Sequence, residues 1–273
     1  MRVKAGLIGE NISRSRFSAA VGGLCQDAGI DWDFTLFDTA RISSFDFDQH
    51  INKLITDGFS GVTVTHPFKT RADARTDRRD GYPQVLGASN LLKFGEGIAA
   101  FNTDYLGMKA AWRDVFGDQT PGRVAVAGAG GVSRAIIAAL RDLGATRIDL
   151  WDTKIGAAKT LMSQLDPNRE FIHAATPAKA IPLADGLVNA TPLGMREYPG
   201  TAFPTNLIGP QRWVFDAVYT PIETQFMQDA KAAGLKRLSG FDLFKHMAVN
   251  SFAAYTGLPA PDPTQLNHFA KDL

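Results

Sequence analysis

A glycine-rich loop follows a short apolar run in the second half of the chain. Residues 124–127 are Val, Ala, Val and Ala, and a segment with helical periodicity comes after the loop. The loop consists of Gly128, Ala129, Gly130, Gly131 and Val132. Glycines allow a tight turn and bring backbone N–H groups close to a phosphate at the positive end of a helix, which a Cβ would obstruct. A GAGG sequence also serves as an ordinary turn between a strand and a helix, so both interpretations stay open at this point.

An acid ends the next apolar run. Residues 147–151 form that run, and Asp152 follows 21 residues after Gly131 (152 − 131). An acid at about this spacing accepts hydrogen bonds from the adenosine ribose of a dinucleotide. It also repels a 2′-phosphate, so Asp152 favours NAD over NADP, although the nearby Lys154 partly offsets the repulsion. The alternative is that Asp152 is the N-cap of a helix that begins near Ile155.

A lysine and an aspartate in the first half carry groups suited to proton transfer. Lys69 comes after a strand-like run and a proline, at the end of a strand where ligands bind in α/β proteins. Taken alone, Lys69 is most simply a solvated loop lysine. Asp104 ends the sequence Asn102, Thr103, Asp104, which precedes a helix-periodic run and is typical of an N-cap. Both residues need further support before a catalytic role is assigned.

Composition excludes several classes of protein. Hydrophobic residues make up 45% and charged residues 21% of the 273 residues, and no apolar run approaches the ~20 residues of a membrane helix. The formal net charge of +1 gives no field that would attract nucleic acid or an anionic membrane. Cys25 is the only cysteine, which excludes an internal disulfide. The first nine residues are too short and too charged a run for a signal-peptide apolar region, so we expect a first strand there and a reducing cytoplasm. The five histidines lack metal-ligand spacing, so we expect no metal.

Short β-rich runs alternate with amphipathic segments of helical length, which predicts an α/β fold with parallel sheets. In the first part we expect strands at residues 4–8, 33–38 and 61–65, helices at 15–28, 44–57 and 70–80, and a hairpin of 88–94 with 97–101. A second series has strands at 124–127, 148–151, 187–189 and 214–216. Helical segments at 241–255 and roughly 263–271 close the chain.

Six runs of sequence, in the right order, resemble the motifs of the shikimate/quinate dehydrogenase family. They are residues 61–69 (G-x-N-V-T-x-P-F-K in the family), 87–90 (G-A-x-N), 100–104 (G-x-N-T-D), 128–135 (G-A-G-G-x-x-x-A), 189–195 (N-A-T-P-x-G-M) and 216–224 (D-x-V-Y-x-P-x-x-T). Together they cover nearly the whole chain. The closest subgroup is that of the NAD-using quinate/shikimate dehydrogenases, whose strand also ends in Asp.

The resemblance implies an activity and a set of roles. Lys69 matches the family's catalytic lysine, a proton shuttle to the reacting hydroxyl, and Asp104 matches the carboxylate that pairs with it. Further matches fall on the substrate-binding positions Ser15, Thr65, Asn90 and Tyr219. The cofactor-binding set comprises the glycine loop, Asp152, Thr191, Pro192 and Gly240. NAD then accepts a hydride from a ring hydroxyl of shikimate, quinate or a related cyclic polyol.

The resemblance also implies a domain organisation. Residues 1–104 correspond to a substrate-binding α/β domain, to which residues 239–273 return, and residues 105–238 correspond to a Rossmann-like NAD-binding domain. A cleft between the two domains is expected. Apart from the small-molecule substrate we expect no nucleic acid or membrane partner, and the chain is expected to be a monomer or a homodimer.

Departures from the family pattern cluster at substrate-contacting positions. Phe17 replaces the second hydroxyl of the first loop, and Met247 replaces a glutamine that reaches the substrate. Thr63 stands where the family has Asn, and Ser89 and Leu91 depart around Asn90. The pattern therefore predicts that the chemistry is kept and that the substrate is changed. Two alternatives remain: a catalytically weak NAD-binding regulatory protein of the same fold, and an NADP-dependent biosynthetic shikimate dehydrogenase.

Overall fold

A computed structural model describes residues 1–13 and 15–272, which divide into two units. The first unit comprises Met1–Leu106 and Lys245–His268. The second comprises Gly107–Phe244 together with the described residues from Phe269 onward. The domain limits expected from the sequence, after residues 104 and 238, stay a prediction.

The first unit is built on a six-stranded mixed sheet. Its strands are β1 (Arg2–Gly9), β2 (Asp31–Asp38), β3 (Gly61–Val64), β4 (Arg78–Asp80), β5 (Leu91–Gly95) and β6 (Gly97–Phe101), in the order β2-β1-β3-β5-β6-β4. Strand β1 is parallel to β2 and β3, whereas β5 is antiparallel to β3 and β6. The predicted hairpin is confirmed as β5 and β6. Because β5 runs in the opposite direction, the carboxyl ends of β3 and β6 lie at the same edge of the sheet.

Three helices belong to the first unit and a fourth leads out of it. They are α1 (Phe17–Asp27), α2 (Phe47–Thr56), α3 (Lys69–Ala74) and α4 (Thr103–Phe116). Phe47, Ile51 and Leu54 form the buried face of α2, at the spacing that an amphipathic helix requires. Asp46 caps this helix, since its side chain accepts a hydrogen bond from the Gln49 N–H at 3.0 Å. Cys25 is buried on α1, and desolvation raises the pKa of its thiol to about 11.

The predicted helix at residues 70–80 is wrong in its second half. Helix α3 ends at Ala74, and the chain then forms β4 beside β6. The Asp77 N–H donates to the Ile98 carbonyl at 2.9 Å, and the Asp77 carboxylate accepts from the Ile98 N–H at 2.7 Å. These hydrogen bonds to a strand about twenty residues away override a local helical pattern.

The second unit is built on a fully parallel sheet. Its strands are β7 (Arg123–Ala127), β8 (Arg147–Trp151), β9 (Ile172–Ala174), β10 (Gly186–Asn189), β11 (Trp213–Asp216) and β12 (Lys236–Ser239). The order β9-β8-β7-β10-β11-β12 is that of a doubly wound dinucleotide-binding sheet. Every residue of β10 and β11 is buried, as expected for parallel strands covered on both faces. The α/β prediction is confirmed, although β9 and β12 were not expected from the sequence.

The strands of this sheet are connected by helices α5 (Gly131–Asp142), α6 (Ala157–Leu165), α7 (Pro177–Ala180) and α8 (Gln225–Ala232), and α9 (Gly240–Thr256) follows the last strand. The chain also has 3₁₀ turns at Gln84–Leu86 in the first unit and at Ile181–Leu183, Thr205–Leu207 and Pro263–Asp272. Helix α9 begins in the second unit and ends in the first. Among the described residues, none of the helices has the length and apolar character needed to cross a membrane.

Candidate active site

Lys69 and Asp104 meet at one edge of the first sheet. Lys69 begins α3, just after β3, and Asp104 lies in the first turn of α4, just after β6. The Lys69 Nζ donates to Asp104 Oδ2 at 2.6 Å. The two side chains are only 18% and 9% exposed, so solvent screens this ion pair less than it screens a surface pair. Two groups that lie 35 residues apart in sequence therefore form one ion pair.

Asp104 is available to Lys69 because another residue caps α4. The Asn102 Oδ1 accepts a hydrogen bond from the Tyr105 N–H at 3.0 Å, and the Asn102 Nδ2 donates to the Ala88 carbonyl at 2.8 Å. The predicted N-cap sequence is confirmed, with Asn102 as the capping residue. The negative charge of Asp104 in the first turn is also favourable toward the helix dipole.

Asn90 lies beside this pair and is tied to the start of α4. Its Oδ1 accepts from the Thr103 N–H at 2.7 Å, and its Nδ2 donates to Thr103 Oγ1 at 3.0 Å. An amide NH₂ has two hydrogens, so one N–H of Asn90 is left for another acceptor. Thr65 is half-buried at the same edge, where its backbone N–H donates to the Ile8 carbonyl at 2.9 Å.

The departures from the family pattern have definite places in the first unit. Phe17 is only 5% exposed, and its ring lies 6.0 Å from that of Phe34. The Ser15 Oγ accepts from the Phe17 N–H at 3.3 Å, and Met247 is half-buried on α9. The substrate contacts assigned to these residues stay predictions, and burial gives Phe17 a packing role of its own.

Thr63, which stands at an asparagine position of the family, is paired with a residue near the end of α9. Its Oγ1 lies 2.8 Å from the Tyr255 hydroxyl, within the buried part of the unit. Desolvation raises the pKa of the Tyr255 hydroxyl. The pair thus satisfies two buried polar groups at once.

A buried polar cluster near Lys69 was not expected from the sequence. Asp73, which is 5% exposed, accepts hydrogen bonds from Arg79 at 2.7 Å, Tyr82 at 2.6 Å and Ser89 at 2.8 Å. Desolvation raises the pKa of Asp73, but these hydrogen bonds and the charge of Arg79 outweigh it and lower the pKa. The only sequence signal was Ser89, which departs from the family pattern.

In the second unit, the glycine loop lies where the order of the parallel strands reverses. It follows β7, and a Cβ on Gly128 would lie 2.7 Å from the Ala190 carbonyl oxygen, just after β10. Gly128 also has a φ of +96°, a backbone conformation that residues other than glycine rarely adopt. In contrast, a Cβ on Gly130 or Gly131 would meet no atom within 4 Å. Protein packing requires glycine at the first position and leaves open space at the other two.

Asp152 contacts the glycine loop directly. Its Oδ2 accepts from the Ala129 N–H at 2.7 Å, and its Oδ1 accepts from the Lys154 N–H at 2.7 Å. A carboxylate offers about four lone-pair sites, so it retains capacity for further donors. The alternative role as an N-cap is wrong, because α6 begins at Ala157 and its N-cap is Gly156.

A second buried network joins two of the motifs in this unit. The Asn189 Nδ2 donates to Asp216 Oδ1 at 2.9 Å, and the Thr224 hydroxyl donates to Asp216 Oδ2 at 2.6 Å. The Thr191 hydroxyl donates to Asn189 Oδ1 at 2.6 Å, which fixes the loop that carries the exposed Pro192. Desolvation raises the pKa of Asp216 to about 6, although its hydrogen bonds act in the opposite direction.

The remaining predicted residues of the second unit lie at the ends of β7, β11 and β12. A Cβ on Gly240 would lie 2.6 Å from the carbonyl oxygens of Ala217 and Val218, so the close approach of the backbone explains this glycine. The Tyr219 ring stacks on Phe244 with centroids 5.3 Å apart. Val132 is half-buried in the first turn of α5. Roles in ligand binding for these residues stay predictions.

Comparison with known proteins places these features in a family. A quinate/shikimate dehydrogenase (NAD(+)) of Corynebacterium efficiens is 38% identical over 267 residues, which covers 93% of this chain and 92% of the relative. The chain belongs to the quinate/shikimate dehydrogenase family. Residues 7–92 of this family member match the model of the shikimate dehydrogenase substrate binding domain. A shikimate dehydrogenase (NADP(+)) of Streptomyces avermitilis is 33% identical over 264 residues, with 92% and 89% of the two chains covered.

The fold of this family member agrees with a solved structure. Quinate dehydrogenase from Corynebacterium glutamicum in complex with NAD has a TM-score of 0.91 and 30% sequence identity, with 100% of both chains covered. The predicted family is therefore confirmed.

Proposed function

We propose that this chain is an NAD-dependent oxidoreductase that interconverts a ring hydroxyl and a ketone of quinate, shikimate or a related cyclic polyol. The observation that carries the proposal is the largely buried ion pair of Lys69 and Asp104, 2.6 Å apart at the carboxyl edge of the first sheet. An amine and a carboxylate in this arrangement are suited to moving one proton to or from a hydroxyl.

In the proposed reaction, Lys69 and Asp104 have different tasks. The Lys69 Nζ exchanges the proton of the reacting hydroxyl, whereas Asp104 accepts a hydrogen bond from Lys69 and holds its amino group in one place. The free N–H of Asn90 is suited to a neighbouring ring hydroxyl. When bound, NAD supplies the hydride acceptor.

The second unit offers a cradle that fits a dinucleotide. Gly130 and Gly131 leave open space at the N-terminus of α5, where backbone N–H groups favour a pyrophosphate. Asp152 retains acceptor capacity for ribose hydroxyls and carries the negative charge that repels a 2′-phosphate. The names of the NAD(+) relatives agree with this choice of cofactor.

The substrate need not be one of the two named in the relatives. Phe17 and Met247 cannot replace the charge-assisted and amide hydrogen bonds of the family's hydroxyl and glutamine, and each lost contact of this kind weakens binding by roughly 1.5–3 kcal/mol. We therefore include ring compounds with fewer or different polar substituents in the proposed substrate class.

The proposal extends to organisation. We assign substrate binding to residues 1–104 with 239–273 and NAD binding to residues 105–238. A cytoplasmic location accords with the single buried Cys25. A monomer or homodimer is the proposed assembly.

The decisive experiment is turnover by the purified protein across shikimate, quinate and their amino and deoxy analogues, with NAD and NADP in parallel. We expect activity with NAD on at least one of these compounds, and a smaller kcat/KM with NADP. Asp152→Ala is expected to narrow the cofactor preference, whereas Asp118→Ala, which removes an exposed acid, is expected to leave it unchanged. A wild type that prefers NADP, or that turns over none of the compounds, would contradict the proposal.

A further inference from the structure

Two adjacent residues connect the elements that carry Lys69 and Asp104. Asn90 is hydrogen-bonded through its side chain to Thr103, the residue before Asp104, at 2.7 and 3.0 Å. Its backbone N–H donates to the Phe101 carbonyl at 3.0 Å, and its carbonyl accepts from the Val64 N–H at 2.8 Å. Asn90 is thus fixed to both strands that lead to the ion pair.

Ser89 contacts the other partner, and it contacts α3 at two points. Its backbone N–H donates to the Lys69 carbonyl at 2.9 Å. Its hydroxyl donates to Asp73 Oδ1 at 2.8 Å, on the same helix and four residues after Lys69. Ser89 is completely buried, with no exposed surface. The short helix that begins with Lys69 is therefore fastened to Ser89 at its first residue and near its end.

The hydrogen-bond donors around Asp73 fix the orientation of its carboxylate, to which Ser89 is bound. Arg79 forms a salt bridge with Asp73 at 2.7 Å, and the Tyr82 hydroxyl lies 2.6 Å from both Asp73 Oδ1 and Ser89 Oγ. Burying a charge is unfavourable unless its acceptor sites are filled, so these donors hold the carboxylate in one orientation.

We propose that Ser89, acting with Asp73 and Tyr82, is a positioning residue that sets the distance between the Lys69 amino group and the Asp104 carboxylate. The inference rests on the proposed function, in which this pair transfers the proton. Ser89 holds the lysine helix, Asn90 holds the residue before the aspartate, and the peptide bond between them joins the two attachments. No contact with substrate is assigned to the residues of this cluster, which are Asp73, Arg79, Tyr82 and Ser89.

The chain offers a matched control on the same helix. Asp48 of α2 accepts from Arg71 of α3 at 2.6 Å, and both side chains are exposed, at 37% and 52%. Asp48→Asn therefore weakens a second attachment of α3 that does not include Ser89 or its neighbours. Exposed ion pairs of this kind contribute little to stability.

The first measurement is steady-state kinetics of Ser89→Ala and Asp48→Asn with NAD and the better of quinate and shikimate. In Ser89→Ala we expect kcat to fall by about tenfold or more while the KM for NAD changes by less than about twofold, since one oriented hydrogen bond is lost and none of the residues assigned to NAD binding is changed. The pH of half-maximal kcat is expected to move by about 0.5 unit or more, because the proton affinity of a lysine–carboxylate pair depends on the distance between its charges. Asp48→Asn is expected to match wild type in kcat and in the pH of half-maximal kcat.

The second measurement does not need activity. Amide hydrogen exchange of the peptide that contains residues 69–74 is expected to be about tenfold faster in Ser89→Ala than in wild type, since removal of the attachment favours local opening, and within about threefold of wild type in Asp48→Asn. If Ser89→Ala does not fold, Tyr82→Phe, which keeps the ring and removes one hydroxyl, is expected to show the same changes to a smaller degree.

The outcomes separate the two proposals. A wild type with no turnover of quinate or shikimate contradicts the proposed function, and the exchange rates still test whether Ser89 holds α3. An active wild type whose Ser89→Ala variant keeps its pH profile and its exchange rates overturns the positioning role. A loss of kcat in Ser89→Ala with an unchanged pH profile also overturns it, because it indicates only a smaller folded fraction.

Discussion

The two units of the molecule form their candidate sites from different parts of the chain. In the first unit, the site consists of side chains: the Lys69–Asp104 pair, Asn90 and the buried cluster around Asp73. In the second unit, it consists largely of backbone, since Gly128 is fixed by its approach to Ala190 and a Cβ on Gly130 or Gly131 would meet no atom within 4 Å.

This difference explains where the departures from the family pattern lie. Phe17, Thr63, Ser89 and Met247 all belong to the first unit. A site made of side chains changes its specificity when one side chain is replaced, whereas contacts made by backbone groups depend less on which side chains the loop carries. We therefore expect substrate specificity to diverge more readily than the mode of cofactor binding within this fold.

The strongest test removes the amino group of the first site. Lys69→Ala is expected to lower kcat by about 10²–10⁴-fold, the range for a positioned acid or base, while NAD still binds. Lys53→Ala serves as the control, since Lys53 forms an exposed ion pair with Asp57 at 2.7 Å. Turnover by Lys69→Ala at the wild-type rate, measured at saturating NAD, would refute the assignment and leave the first unit without a catalytic lysine.

The next test asks whether Phe17 belongs to the core. Phe17→Ala is expected to lower the free energy of unfolding by about 3–5 kcal/mol, as truncation of a buried phenylalanine does. Ile55→Ala removes an apolar side chain that is 42% exposed and is expected to stay within about 0.5 kcal/mol of wild type. Urea unfolding measures both. Equal free energies of unfolding for the two variants would contradict a packing role for Phe17 and leave only its predicted contact with substrate.

Two buried aspartates, one in each unit, predict opposite dependences of stability on pH. Asp216 has a folded-state pKa of about 6, above its usual 3.8, because burial disfavours its charge and outweighs the hydrogen bonds from the uncharged Asn189 and Thr224 side chains. Its protonated form is favoured by folding, so its stabilising contribution is present below pH 3.8 and is lost as pH rises through 6. The loss is on the order of 3 kcal/mol. Asp73, next to Arg79, has a lowered pKa and the opposite dependence.

The measurement is urea unfolding between about pH 4 and 7 for wild type, Asp216→Asn and Asp73→Asn. Relative to Asp216→Asn, the wild type is expected to lose stability as pH rises through the interval. Relative to Asp73→Asn, it is expected to lose stability as pH falls toward the lower end. If the difference in free energy of unfolding between wild type and Asp216→Asn were the same at every pH, Asp216 would be ionised throughout the interval.

The smallest expected effect concerns the glycine loop of the second unit. Gly131→Ala is expected to leave stability within about 0.5 kcal/mol of wild type and to raise the Kd for NAD by about tenfold, because its methyl group enters space that no protein atom fills. Gly128→Ala is expected to destabilise the fold by about 1–3 kcal/mol through its backbone conformation and the contact with Ala190. Calorimetric titration of NAD distinguishes the two. Unchanged affinity in Gly131→Ala would mean that the phosphates bind elsewhere.

Local signals predicted the parts of the molecule that local hydrogen bonds form. The β5–β6 hairpin, the capping sequence before α4 and the turn between β7 and α5 each depend on residues close in sequence. The family motifs added Lys69 and Asp104, whose contact no local pattern indicates, because it depends on the position of β5 between β3 and β6.

The failures have a physical cause in common. The end of α3 was misplaced because Asp77 pairs with Ile98, and the cluster around Asp73 was missed because Arg79, Tyr82 and Ser89 come together only after β4 and β6 have paired. Ser89 departs from the family pattern, but that departure does not indicate which residues Ser89 contacts. The structure of these two regions is determined by hydrogen bonds between residues that are distant in sequence. A local pattern of residue types does not indicate such pairings.

The hydrogen bond between Thr63 and Tyr255 has a consequence for synthesis on the ribosome. The two residues are separated by 192 positions, and the whole of the second unit up to Phe244 lies between them. At about 5–20 residues per second, the first partner waits roughly 10–40 s for the second. The nascent first sheet therefore gains its last helix only after strands β7 to β12 of the second sheet have been synthesised, although the first sheet is the first to emerge.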